Sequence, residues 1–110
     1  MAVTEADQAA FAAAHAQNVQ IIDVREPNEY RGGHVPGALN IPLGALAARS
    51  SELDATEPVY VICQSGGRSA KGAEALTLAG FQALSVTGGT AGWATAGRTT
   101  ITGDQPHATS

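Results

Sequence analysis

One run constrains this chain more than any other. It is Pro58-Val-Tyr-Val-Ile-Cys, followed by Gln-Ser-Gly-Gly-Arg-Ser to position 69. The apolar stretch ending at Cys63 reads as a buried strand. Ser65, Gly66 and Gly67 form strand and helix poorly, so the chain must turn there. Residues 68–79 then predict a helix, with Gly80 placed as its C-terminal cap. Strand, tight loop and helix in that order is a βα unit.

The rest of the chain repeats the alternation. A helix is predicted from Thr4, as N-cap, to about Ala16, with Glu5 and Asp7 in its first turn. Val19 to Val24 is an apolar run interrupted by Gln20 and Asp23, which predicts a buried strand. Glu26 to Tyr30 is a short helical turn, with Pro27 suited to its first position. A loop over 31–37, a short strand over 38–42 and a helical stretch over 43–49 follow. Phe81 to Val86 is the last strand, before the Gly88-Gly89 turn and Trp93, which is expected to pack the last helix. Strands alternating with helices predict an α/β fold with a mostly parallel sheet. The polar stretch after Gly97 predicts a loosely held tail over 98–110, leaving 1–97 as the domain.

Composition narrows the function classes. The chain has 110 residues, enough for one domain, with 44% hydrophobic and 15% charged residues, a globular balance. A formal net charge of −4 with only six Lys and Arg argues against nucleic acid as a partner. No stretch approaches the roughly 20 apolar residues of a membrane span. The acidic N-terminus lacks the basic region of a secretory signal. A single cysteine makes no internal disulfide, which fits a reducing cytoplasm. Three scattered histidines and one cysteine lack zinc-ligand spacing, so no metal and no cofactor is expected.

Cys63 alone could be a small buried hydrophobe. Its position favours a nucleophile. It precedes a helix N-terminus, where unpaired N–H groups and the helix dipole favour negative charge and lower a thiol's pKa. Arg68 adds a fixed cation. In an open parallel sheet, ligands bind beyond the carboxyl ends of the strands. The segments after Asp23, Cys63 and Val86 leave such ends, and they form one rim.

The segments IIDVREPNEYRGGHVPGALNIPL, VYVICQSGGRSAKGAEALTLAGF and VTGGTAGW together resemble a single-domain rhodanese, a sulfurtransferase. The resemblance spans about Val19 to Trp93 in three blocks. It implies a central parallel sheet with helices on both faces. It also implies that the Cys63 thiolate takes a sulfane sulfur from thiosulfate or a persulfide donor and passes it to cyanide or a thiol. The loop Gln64, Ser65, Gly66, Gly67 and Arg68 would hold the anion. A lone thiol suits that chemistry, because a second cysteine would resolve a persulfide into a disulfide. Four residues lie between Cys63 and Arg68, whereas protein tyrosine phosphatases have five between Cys and Arg. The shorter loop favours sulfur over phosphate.

By the same resemblance Asp23 braces the loop, through Ser69 or Arg68. Arg25 is expected to pair with Glu29 or another acid. His34 is expected to be structural, and Gly66 and Gly67 to meet backbone requirements. Gln64 stands where thiosulfate-using relatives often carry a cation, which leaves the donor open. The alternative to an enzyme is a carrier that accepts a persulfide and docks on a protein sulfur acceptor.

Overall fold

The computed structural model describes residues 3–107. Five parallel strands form one sheet: β1 (Glu5–Ala6), β2 (Gln20–Asp23), β3 (Leu39–Asn40), β4 (Val59–Ile62) and β5 (Ala83–Val86), in the order β1-β5-β4-β2-β3. The helices are α1 (Gln8–His15), α2 (Pro27–Arg31), α3 (Leu46–Arg49), α4 (Gly67–Leu78) and α5 (Gly89–Thr95). Short 3-10 turns flank α3. The architecture is α/β and rhodanese-like, with helices on both faces.

Alternation along the strands explains the two layers. Val59, Val61 and Cys63 on β4 and its end face one way and pack with Leu46, Ala73 and Leu76 of α3 and α4. Ile62 faces the other way and packs with Phe11, Tyr30, Val86 and Trp93. Both faces of the central strands are covered, so β2 and β4 read as nearly continuous apolar runs. Trp93 lies 5.4 Å from Phe11, ring to ring, and donates Nε1–H to the Thr99 carbonyl at 2.8 Å.

Two expectations need correction. Thr4 does not cap a helix. Glu5 and Ala6 are extended and extend the sheet beyond β5, and Asp7 is the N-cap, accepting the Ala10 N–H at 2.8 Å. Ser85 and Thr87 donate their N–H groups to Thr4 and Ala6. The chain beyond Gly97 is also not loosely held over 98–107. Ile101 bridges His34 through paired bonds of 2.8 and 2.9 Å. Gly103 donates its N–H to the Arg31 carbonyl, and Gly37 donates to Pro106. Main-chain groups make these contacts, so the polar side chains of this stretch conceal them. Residues 108–110 lie outside the described residues.

Candidate active site

The strand β4 delivers Cys63 to the N-terminus of α4. The residue is 1% exposed, beneath the exposed Gln64, Ser65 and Gly67. Its Sγ accepts the Gly66 N–H at 3.1 Å and the Ser69 N–H at 3.3 Å. Ser69 N–H is one of the first-turn donors that α4 itself leaves without a partner. Burial pushes the Cys63 thiol up. The Ser69 side chain and the N–H groups of Ser69, Gly66 and Ser65 push it down further, so it lies below the ordinary thiol value. The Ser69 hydroxyl donates to the Gly66 carbonyl at 3.0 Å and pairs with the Ser85 hydroxyl at 2.8 Å. Ser69→Ala is therefore expected to raise the pH midpoint of Cys63 alkylation by iodoacetamide. An unmoved midpoint would show that the hydroxyl does not serve the thiolate.

Gly66 and Gly67 differ in what they require. Gly66 has φ +124°, a region that disfavours a side chain. Gly67 does not appear among the positive-φ residues, and a Cβ there would meet nothing within 4 Å. It is the first residue of α4, so Gly67→Ala should be stabilising by about 0.4–1 kcal/mol, read as a higher denaturant midpoint. A loss of stability would show that Gly67 carries a backbone constraint.

The charged residues are paired only in part as expected. Asp23 meets neither Ser69 nor Arg68. Its carboxylate accepts Arg25 Nε–H at 3.0 and 3.2 Å and Arg25 Nη2–H at 2.9 Å, with both side chains buried. For Arg25, expected to pair with Glu29 or another acid, the partner is that other acid, Asp23. The remaining bonds of Arg25 run to the Gly33 carbonyl at 2.8 Å and to Gln64 Oε1 at 3.1 Å. Asp23 thus braces the loop indirectly, through Arg25 and Gln64. Arg68 takes Glu29 instead, bidentately, at 2.7 and 2.9 Å. Spacing along the chain could not reveal that partner, 39 residues away.

The Arg68 guanidinium holds the Glu29 carboxyl down at about 2. The pair's contribution to stability is fully present above the carboxyl's ordinary value of 4.5. It is lost as pH falls through about 2. Arg68 is 38% exposed, so solvent screening keeps that contribution small.

A second element, which sequence reasoning marked only as rim, grips the loop from behind. Thr90 donates both its N–H (2.8 Å) and its hydroxyl (3.0 Å) to the Cys63 carbonyl, and Ala91 N–H bonds the Gln64 carbonyl at 3.0 Å. These are first-turn donors of α5, so two helix N-termini hold the loop, α4 at the Cys63 sulfur and α5 at the Cys63 and Gln64 carbonyls. Gly89 makes this possible. Its φ is +58°, and a Cβ there would lie 2.5 Å from the Cys63 carbonyl oxygen and 2.6 Å from the Gln64 carbonyl. Gln8 Nε2 ties this segment to α1 through the carbonyls of Thr87 and Gly89. The Gly88-Gly89 pair is visible in the sequence, but which glycine carries the close approach is not.

His34 stands apart from Cys63's contacts. It is fully buried, its ring stacked on Tyr30 at 3.6 Å, with its two nitrogens at the Tyr30 and Gln105 carbonyls. No cluster of His, Cys, Asp or Glu among the described residues is arranged to hold a metal ion. No helix among them is long and apolar enough to cross a membrane.

The parallel α/β sheet thus sets a lone thiol, held by main-chain N–H groups, at a helix N-terminus. The profile of the rhodanese-like domain family matches residues 7–96, and the chain belongs to that family. It is 50% identical over 60 residues to an uncharacterised protein of Bacillus subtilis. It is 41% identical over 66 residues to a putative sulfur carrier protein of the same organism. The alignments cover 54% and 60% of this chain but only 48% and 36% of those two proteins. A thiosulfate sulfurtransferase of Shewanella oneidensis is 35% identical over 79 residues, 71% of this chain and 78% of that protein. Among solved structures, a rhodanese-related protein of Thermoplasma volcanium superposes with a TM-score of 0.82 at 28% identity, covering 89% of this chain and 97% of that one.

Proposed function

We propose that this domain is a sulfurtransferase that carries a sulfane sulfur as a persulfide on Cys63. The observation that carries the reading is the Cys63 Sγ held by Gly66 and Ser69 N–H groups at the α4 N-terminus. The thiolate attacks the outer sulfur of the donor. With thiosulfate, the S–S bond of the donor breaks, sulfite leaves with the bonding pair, and Cys63 holds S–S⁻. With a persulfide RS–SH, the thiolate leaves as RS⁻ and Cys63 holds S–SH. Attack of cyanide on the outer sulfur returns the Cys63 thiolate and releases thiocyanate. Where the outer sulfur carries a proton, that proton passes to solvent in this step, and no electron is left over.

The loop supports each step. Its N–H groups face negative charge in the resting thiolate, and the same helix end favours the charged persulfide. A disulfide bond is about 2.05 Å long, so the added sulfur advances the reactive atom outward from a buried Cys63 by that order. The four-residue gap before Arg68 supports sulfur over phosphate as the transferred group. Thiosulfate and cyanide are donor and acceptor of the proposal, as are thiols, and the cytoplasm is its proposed setting.

Release of thiocyanate from a sulfane donor and cyanide tests the reading. Repeated turnover in the wild type, and none in Cys63→Ser, is the expected result. Equal turnover in both would end the proposal. The relative described as a putative sulfur carrier favours one second reading, a persulfide carrier that docks on a protein acceptor. A carrier would load Cys63 but release thiocyanate only in a single turnover.

A further inference from the structure

Resting on the persulfide reading, we propose that the charge pairs around Cys63 disfavour the thiosulfate dianion and favour a persulfide borne on a low-mass thiol without net negative charge. Glu29 is the residue that sets the choice.

Two cations lie at this site, and a carboxylate occupies each. Arg25 is buried against Asp23, with side chains 4% and 0% exposed. Arg68 commits both terminal nitrogens to Glu29. Gln64, directly after the cysteine, brings no charge. Its carbonyl oxygen is taken by Arg25 Nη1, so its amide offers only N–H donors. Lys71 lies a turn further along α4, on its exposed face. An incoming dianion therefore meets two neutralised pairs on a chain whose net charge is −4.

A cleft of about 420 Å³ opens beside Gln64, bounded by Arg25, Asn28, Glu29, Thr90 and Thr100 among others. That volume is in the range of small-molecule sites and far exceeds a five-atom anion. Its walls offer neutral amides and hydroxyls, the Glu29 carboxylate and the Arg25 guanidinium, whose charge Asp23 already pairs. Those groups suit the amide and ammonium groups of a thiol carrier and repel a second anion. Glu29 belongs both to the cleft and to the pair that neutralises Arg68. Removing its charge would free the Arg68 guanidinium for an anionic donor.

Loading of Cys63 on the full chain, followed by intact mass, separates the donors. The probes are thiosulfate, cysteamine persulfide and persulfidated serum albumin at equal sulfane concentration. In the wild type, cysteamine persulfide should load at least about tenfold faster than thiosulfate, a difference of the size of one charge-assisted bond. The thiosulfate rate should not fall as ionic strength rises, because no unpaired cation steers it. Glu29→Gln should shift the ratio of the two rates about tenfold toward thiosulfate. Gln64→Arg, which adds a cation without breaking either pair, should lower the KM for thiosulfate. Loading normal in amount but fastest with thiosulfate, or a thiosulfate rate that falls steeply with salt, would overturn the assignment. So would a ratio unmoved in both variants. Faster loading from persulfidated albumin would assign the donor to proteins and remove the cleft from the proposal. No loading from any donor would overturn the persulfide reading beneath it.

Discussion

Gly89→Ala is expected to cut sulfur transfer at least about a hundredfold, the size of effect that a misplacement of about 1 Å at a reacting centre can have. The new methyl would fall 2.5 Å from the Cys63 carbonyl oxygen and 2.6 Å from the Gln64 carbonyl, both main-chain atoms. Neither can swing aside as a side chain would. Relief must come from moving the loop or the α5 N-terminus. Either motion breaks the Thr90 and Ala91 bonds that aim the Cys63 and Gln64 peptides. The rate of thiocyanate release, read beside the far-ultraviolet dichroism of the folded protein, checks this. A folded variant with wild-type turnover would show that the back of the loop does not set its geometry.

Asp23→Ala should have the largest effect on stability, a loss of about 3–5 kcal/mol, the usual cost of leaving one partner of a buried ion pair alone. Arg25 would keep its charge at 4% exposure, with only Gly33 and Gln64 as partners. Asp23 also accepts the Arg25 main-chain N–H at 3.0 Å, so a turn-closing bond is lost with it. At about 4–8 °C per kcal/mol for a domain near 100 residues, the thermal midpoint should drop by more than about 10 °C. Replacing both partners, Asp23→Ala with Arg25→Met, should cost less than Asp23→Ala alone, because no charge is then stranded. A double variant less stable than the single one would show that the pair is not the source of the loss.

Much of the fold could be read from local chemistry. The apolar run into Cys63, the glycines after it and the helix ended near Gly80 specify a βα unit without any knowledge of neighbours. Pro27 marked the start of α2 for the same reason. What failed was non-local. β1 has two residues, too few to show a period, and exists because β5 offers it a partner. The docking of 98–107 depends on main-chain bonds to Arg31, His34 and Gly37, which no side-chain pattern records.

The site divides along the same line. Cys63 and its loop stood out because a thiol, two glycines and a helix start are contiguous. The partners of Asp23, Arg25 and Arg68 did not, because charge type fixes that a partner is needed but only the fold decides which carboxylate arrives. Glu29 reaches Arg68 because the capping of α2, with Glu29 Oε1 accepting the Glu26 N–H at 3.1 Å, turns its side chain toward the loop. The weight of Gly89 is equally non-local, because it comes from the approach of the α5 N-terminus to the Cys63 and Gln64 carbonyls.

The claim at the centre is that Cys63 becomes the sulfur carrier. Intact-mass spectrometry after incubation with a sulfane donor addresses it most directly. The predicted result is a gain of one sulfur atom on the wild type, reversed by cyanide and absent in Cys63→Ser. A wild type that gains no sulfur from any sulfane donor, or a Cys63→Ser variant that gains it equally, would contradict the claim.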